Sequence, residues 1–139
     1  MRFMMIVKND PASEQQMPTR EMFEAMGKYN QTLRDAGVLL TLDGLSKSAD
    51  GAKVTFKDGK ATVKDGPFTE AKELVAGFWI IQVRNKEEAV EWAKRIPFMS
   101  GESVEIRRIS ELSDFKDIMS PDAIAQEEAI RAETSGRPN

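Results

Sequence analysis

The chain contains no cysteine and no histidine. Without thiols there is no disulfide framework and no thiolate nucleophile. Without imidazole there is no Ser-His-Asp triad, no Cys/His zinc site and no side chain whose ordinary titration falls near neutral pH. Any metal would rest on carboxylate and carbonyl oxygens, as Mg²⁺ and Ca²⁺ do, and no metal or cofactor is expected. Acid–base chemistry falls to Asp, Glu, Lys and Tyr29, the one tyrosine. Long apolar runs are also missing, so no bilayer span is expected. Arg2 is followed at once by Phe3-Met4-Met5-Ile6-Val7, a run too short for the apolar core of a signal peptide. A cytoplasmic protein with no membrane partner is the expectation. Lys and Arg are scattered among a slight excess of acids, giving a net charge of −3. With no basic face, nucleic acid is not an expected partner.

What is present has the make-up of an ordinary globular protein, 40% hydrophobic and 31% charged over 139 residues. Its focal stretch is Lys64-Asp65-Gly66-Pro67-Phe68-Thr69-Glu70-Ala71-Lys72-Glu73, a polar loop in which glycine and proline hold Asp65 just beyond a strand end. Residues 2–7 and 77–83 are apolar on both faces, which predicts central, covered strands. The loop from Lys8 to Pro18 is polar. Thr19 caps a helix to about Ala36, with Met22, Met26, Tyr29, Leu33 and Ala36 on one stripe and Gly37 at its C-cap. Residues 38–48 form a strand or a strand plus bend. Two alternating runs, 53–57 and 60–64, joined by Asp58-Gly59, predict a hairpin with a type I′ turn and Val54, Phe56, Ala61 and Val63 facing inward. Thr69 to Leu74 has room for one helical turn. Asn85 caps a second helix, with Glu88 at the reciprocal capping position and Ala89, Trp92, Ala93 and Ile96 as its stripe. Val104 to Ile109 is the last strand.

The order strand, helix, strand, hairpin, strand, helix, strand is an α+β, ferredoxin-like split βαβ plan with an inserted β-hairpin. Two helices cover only one face of such a sheet, so the other apolar face calls for a second copy. A homodimer of the α+β-barrel type is expected. The domain runs over residues 1–110. Residues 111–139 form an arm, partly helical from Ser120-Pro121-Asp122, with a disordered end.

The block Asp65-Gly66-Pro67-Phe68-Thr69-Glu70-Ala71-Lys72-Glu73-Leu74, running on through Ala76-Gly77-Phe78-Trp79, resembles the signature of the DGPF-domain branch of the YCII-related (YciI-like) proteins. Tyr29-Asn30 with Leu33, Ala36-Gly37-Val38-Leu39-Leu40, Gly44-Leu45, Glu88-Ala89, Glu91-Trp92-Ala93 and Glu105-Ile106-Arg107 extend the resemblance over about residues 1–110. It implies a small dimeric α+β barrel of largely uncharacterised function. It also implies a His–Asp pair as the suspected active centre. The aspartate matches Asp65; the histidine has no counterpart, its helix position lying near Met26, and Ser46-Lys47 stands where related sequences have His-Pro.

Three functional readings stay open. In the first, Asp65 serves as a general base or polariser for proton transfer on a small organic molecule. In that reading Arg107 is the anion partner, Glu70 supplies charge beside Asp65, Phe68 and Trp79 floor an apolar pocket, and Ser46, Tyr29 and Asp43 stand at its rim. The second is a non-catalytic metabolite-binding or regulatory module. The third is a structural dimer whose residues 111–139 recruit a protein partner. Asp65 at a partly desolvated concave site supports the first, and a pocket without acid–base geometry supports the second. Against each functional role stands a structural one: a turn cap for Asp65, solvated charge for Glu70 and Arg107, and core packing for Phe68 and Trp79.

Overall fold

The computed structural model describes residues 1–135. The chain divides into two compact units between Ile109 and Ser110. The first is built on a four-stranded antiparallel sheet. Its strands are β1 (Arg2–Asn9), β2 (Leu39–Gly44), β5 (Leu74–Gln82) and β6 (Ser103–Arg108), in the order β2-β5-β1-β6. β3 (Ala52–Lys57) and β4 (Lys60–Asp65) form a separate hairpin between β2 and β5. The two doubly apolar runs occupy the two central positions, where each has a strand on either side.

Register sorts the side chains onto two faces. Phe3, Met5 and Val7 of β1 lie opposite Ile81, Trp79 and Gly77 of β5, so one apolar set shares a face. On that face pack Tyr29 and Leu33 of α2 (Arg20–Asp35) and Ala89 of α3 (Lys86–Lys94), with Val83 and Ile96 completing the core. Met5, Leu33 and Ile81 are fully enclosed, each contributing about 1.5–3 kcal/mol by leaving water. The other face carries Met4, Ile6, Phe78 and Ile80, all half-buried.

The helices begin and end where their caps dictate. Thr19 Oγ1 accepts the Met22 amide at 3.2 Å, and Gly37 leaves α2 at φ +75°. Asn85 Oδ1 accepts the Glu88 amide at 2.9 Å. The Glu88 carboxylate does not return to the Asn85 amide, however; it accepts from the Arg84 amide at 3.0 Å and from its guanidinium at 3.1 Å. Those two bonds hold its carboxyl below the usual carboxylate range, the backbone bond first. The stretch from Lys8 to Pro18 is not simply loop. β1 continues to Asn9, and Asp10 then caps a short helix, α1 (Pro11–Glu14), by accepting the Ser13 amide at 2.7 Å. Thr69 to Leu74 makes a turn closed by Ala71 N–H to Phe68 O at 3.1 Å rather than a helical turn, and β5 starts at Leu74.

The hairpin has the expected turn, with Asp58 at φ 52° and Gly59 at φ 75°. Its face assignment holds as a pattern, since Val54 pairs with Val63 and Phe56 with Ala61. The inward orientation does not: Val54, Phe56 and Val63 are 48%, 78% and 67% exposed. Alternation dictates which residues share a face, and it says nothing of whether another element covers that face. In the second unit, Ser120 Oγ accepts the Ala123 amide at 3.1 Å and starts α4 (Pro121–Thr134), which buries none of its side chains. Among the described residues no helix is long and apolar enough to cross a membrane. The expectation for the chain end falls partly on residues 136–139, outside the described residues.

Candidate functional site

The stretch that the sequence singles out is a tightly tied loop. Gly66 N–H donates to Gly51 O at 2.9 Å, and the Gly66 backbone presses against Ser48: a β-carbon there would sit 1.7 Å from Ser48 O. No side chain fits in that gap, so glycine is obligatory. Ser48 organises the surroundings. Its hydroxyl donates to Glu14 Oε2 at 2.8 Å and accepts the Phe68 amide at 3.2 Å, while its own amide donates to Glu14 Oε1. Phe68 is half-buried with the Lys53 ammonium 4.8 Å over its ring. Glu70 pairs with Lys64, and that hydrogen bond holds its carboxyl below the usual range.

Asp65 is the last residue of β4, opposite Ala52, and is exposed. Among the described residues its carboxylate takes no hydrogen bond and no ion pair, so it neither caps the loop amides nor sits in a desolvated cleft. Ser46 is likewise exposed. Arg107 lies on the open face of the sheet, opposite Met4, with a guanidinium nitrogen 3.3 Å from Glu105 Oε2. Lys8 joins the same cluster, 3.3 Å from Glu105 and 3.5 Å from Glu73. The hydrogen bond that Lys8 donates to Glu105 raises the Lys8 pKa and lowers that of Glu105. Asp65, Phe68 and Glu70 therefore share one loop, while Arg107 belongs to another surface.

Tyr29 and Trp79 meet in the core, their rings edge to face with centroids 5.6 Å apart. The Tyr29 hydroxyl donates to Trp92 O at 2.8 Å, and burial pushes its pKa up to about 12 against the opposing charge of Arg95. The Trp79 indole N–H donates to Asn30 Oδ1 at 2.8 Å. These two residues lead to the concave site that the sequence did not disclose.

A cavity of about 540 Å³ opens between the N-terminal half of α2 and the sheet. Its apolar walls come from Val7, Phe23, Met26, Leu42, Trp79 and Phe98; Asn30 is its polar side chain, and Asp43 borders it from β2 with its side chain on the other face of the sheet. Gly27, Gly44 and Gly77 all line it. Gly44 and Gly77 face each other across β2 and β5; a β-carbon on Gly44 would meet nothing within 4 Å, whereas one on Gly77 would sit 2.9 Å from Asp43 O, so Gly77 serves close backbone packing. Gly27 sits above on α2, where a β-carbon would meet nothing within 4 Å. The predicted α2 stripe buries only its middle: Tyr29 and Leu33 are enclosed, whereas Met22 is 50% exposed and Ala36 is exposed too. Volume, apolar walls and few polar groups are the attributes of a small-molecule site. Met26, the position where the resemblance puts an imidazole, is in the wall; Asp65 is not. Among the described residues no group of three or more acidic side chains is placed to hold a metal ion.

One hint of the cavity was legible. A glycine inside a helix costs about 1 kcal/mol relative to alanine, so Gly27 in the middle of α2 signalled either close packing or a void. The sheet glycines gave no comparable hint, since Gly44 reads as a turn and Gly77 as a strand start.

Sheet order, two core-forming helices on one face and a cavity beneath the first long helix define a ferredoxin-like α+β domain with a concave apolar site at one end of its sheet. The chain belongs to the YCII-related family, whose domain model matches residues 1–113. No curated protein matches the chain.

Proposed function

We propose that the protein is a binding module for a small, largely apolar organic molecule, held in the cavity between α2 and the sheet. The observation that carries this reading is the cavity itself: at Gly27 and Gly44, where a β-carbon would meet nothing within 4 Å, glycine leaves open a volume that larger side chains would fill. The lining has no acid–base pair, which favours binding over proton transfer by Asp65. The test is ligand-induced thermal stabilisation across a metabolite library, comparing wild type with Gly27→Leu and Asp65→Asn. Leucine at position 27 enters open space and favours the helix, so the variant folds while the cavity is filled. Hits that Gly27→Leu loses and Asp65→Asn keeps support the cavity. Hits with the reverse pattern place the ligand at the loop and restore Asp65 as the centre of the chemistry.

We also infer a homodimer formed through the open face of the sheet. Met4, Ile6, Phe78 and Ile80 make a central apolar stripe, with Asp43 on the β2 edge and Arg107 on the β6 edge. A two-fold axis running along the strands sets the Asp43 edge of one copy over the Arg107 edge of the other. Sedimentation equilibrium tests it. Asp43→Arg weakens a dimer of this kind and the double variant with Arg107→Asp restores it, whereas a monomer at all concentrations removes the inference.

A further inference from the structure

We propose that Asn30 makes the cavity selective for uncharged ligands that carry a carbonyl oxygen; this rests on the cavity being the binding site. An indole N–H can only donate, so the bond from Trp79 fixes the Asn30 amide with its oxygen toward Trp79 and its NH2 turned away. Among the described residues that NH2 has no acceptor. It is not one of the buried polar atoms left without a partner, so solvent reaches it. A donor held at a fixed angle in an apolar wall is an orienting group for an acceptor on the ligand.

Charge is excluded by the rest of the lining. Among the described residues no lysine or arginine lines the cavity, so a carboxylate ligand leaves water without meeting an opposite charge. A ligand ammonium finds one lone pair of Asn30 Oδ1 already taken by Trp79 and the NH2 a donor of the same kind, with no carboxylate facing it. Asp43, the one ionisable residue in the lining, pairs in register with Phe78 and so directs its side chain to the opposite face of the sheet from Leu42 and Trp79. What remains is a neutral body for the walls and one carbonyl oxygen for Asn30, as in a ketone, ester or lactone.

Four probes of one size separate these terms: acetophenone, ethylbenzene, benzoate and benzylammonium, titrated into the full chain by calorimetry and by NMR. Acetophenone is expected to bind about tenfold tighter than ethylbenzene, the worth of one hydrogen bond, with both ions weaker than either. It alone shifts the Asn30 side-chain amide protons. Asn30→Asp keeps an acceptor for Trp79 and replaces the NH2 with a second oxygen, so the tenfold preference disappears and benzylammonium gains. Equal binding of acetophenone and ethylbenzene, unmoved Asn30 protons in wild type, or tighter binding of benzoate overturns the assignment. If those neutral probes still lose binding in Gly27→Leu, the cavity stands as a site without this selectivity. If no probe shows binding sensitive to Gly27→Leu, both readings fall.

Discussion

Glycine does opposite work in the two regions that matter most. At Gly66 it allows contact: the backbone of the β4–β5 loop lies so close to Ser48 that a β-carbon has nowhere to go. At Gly27 it leaves space, and a β-carbon would meet nothing. The first region is dense, hydrogen-bonded and closed around Ser48; the second is apolar and hollow. The difference teaches that a motif's conspicuousness in sequence reflects how constrained its backbone is. The place where a ligand fits is instead marked by what is left out.

The contrast breaks most forcefully at Gly66. Gly66→Ala must displace the backbone at Ser48, and a loss of about 3 kcal/mol is expected, the upper range for overpacking. A chemical denaturation midpoint unchanged from wild type would show that the loop opens at little cost. The second effect belongs to the cavity side and appears only at high pH. The folded protein holds the Tyr29 proton up to about 12, whereas the unfolded chain releases it near the ordinary value of about 10. Stability is therefore complete below the unfolded value and falls as pH rises through that window, by roughly 2.5 kcal/mol in all. Tyr29→Phe starts about 1 kcal/mol lower because the bond to Trp92 O is gone, but it declines less over the same window. Denaturant titrations at stepped pH measure this, and tyrosinate absorbance follows the group cleanly because the chain has one tyrosine.

Ser48→Ala comes next. It strands the Phe68 amide and frees one Glu14 oxygen, for a loss of about 1–2 kcal/mol, read as faster amide exchange at Phe68 than elsewhere in the unit. Gly27→Ala gives the smallest change and the only gain, about 0.5–1 kcal/mol from helix propensity alone. Destabilisation there would mean that the cavity cannot take even a methyl group.

Much of the fold could be read directly. Unbroken apolarity over strand length identified the doubly apolar strands that became the sheet centre. The step pattern ending at Ala36, with Gly37 after it, defined α2, and Asp58-Gly59 dictated the hairpin turn. Those signals are local, and each has one physical cause. The exposed hairpin face escaped because periodicity reports which residues sit together, never what covers them. The cavity escaped for a related reason: residues 27, 44 and 77 come together only through the β2–β5 pairing and the placing of α2 above it. Asp65 was singled out by its loop, and the loop's chemistry turns out to run through Glu14, Ser48 and Phe68, two of which lie well before the motif.

The strand order also sets a timetable for folding. β1 is the earliest strand of the sheet, yet its neighbours are β5 and β6: Arg2 pairs with Gln82, and Phe3 with Arg108. During synthesis a strand apolar on both faces therefore waits while about a hundred residues follow it, and no stable sheet exists until β5 has emerged. Closing such distant pairs is entropically slow, so folding on the millisecond-to-second scale of non-local topologies is the consequence. The hairpin, which needs only its own turn, assembles long before. Until β6 arrives, β1 still has one bare edge, the state in which such a chain is most open to capture by a chaperone or by another copy of itself.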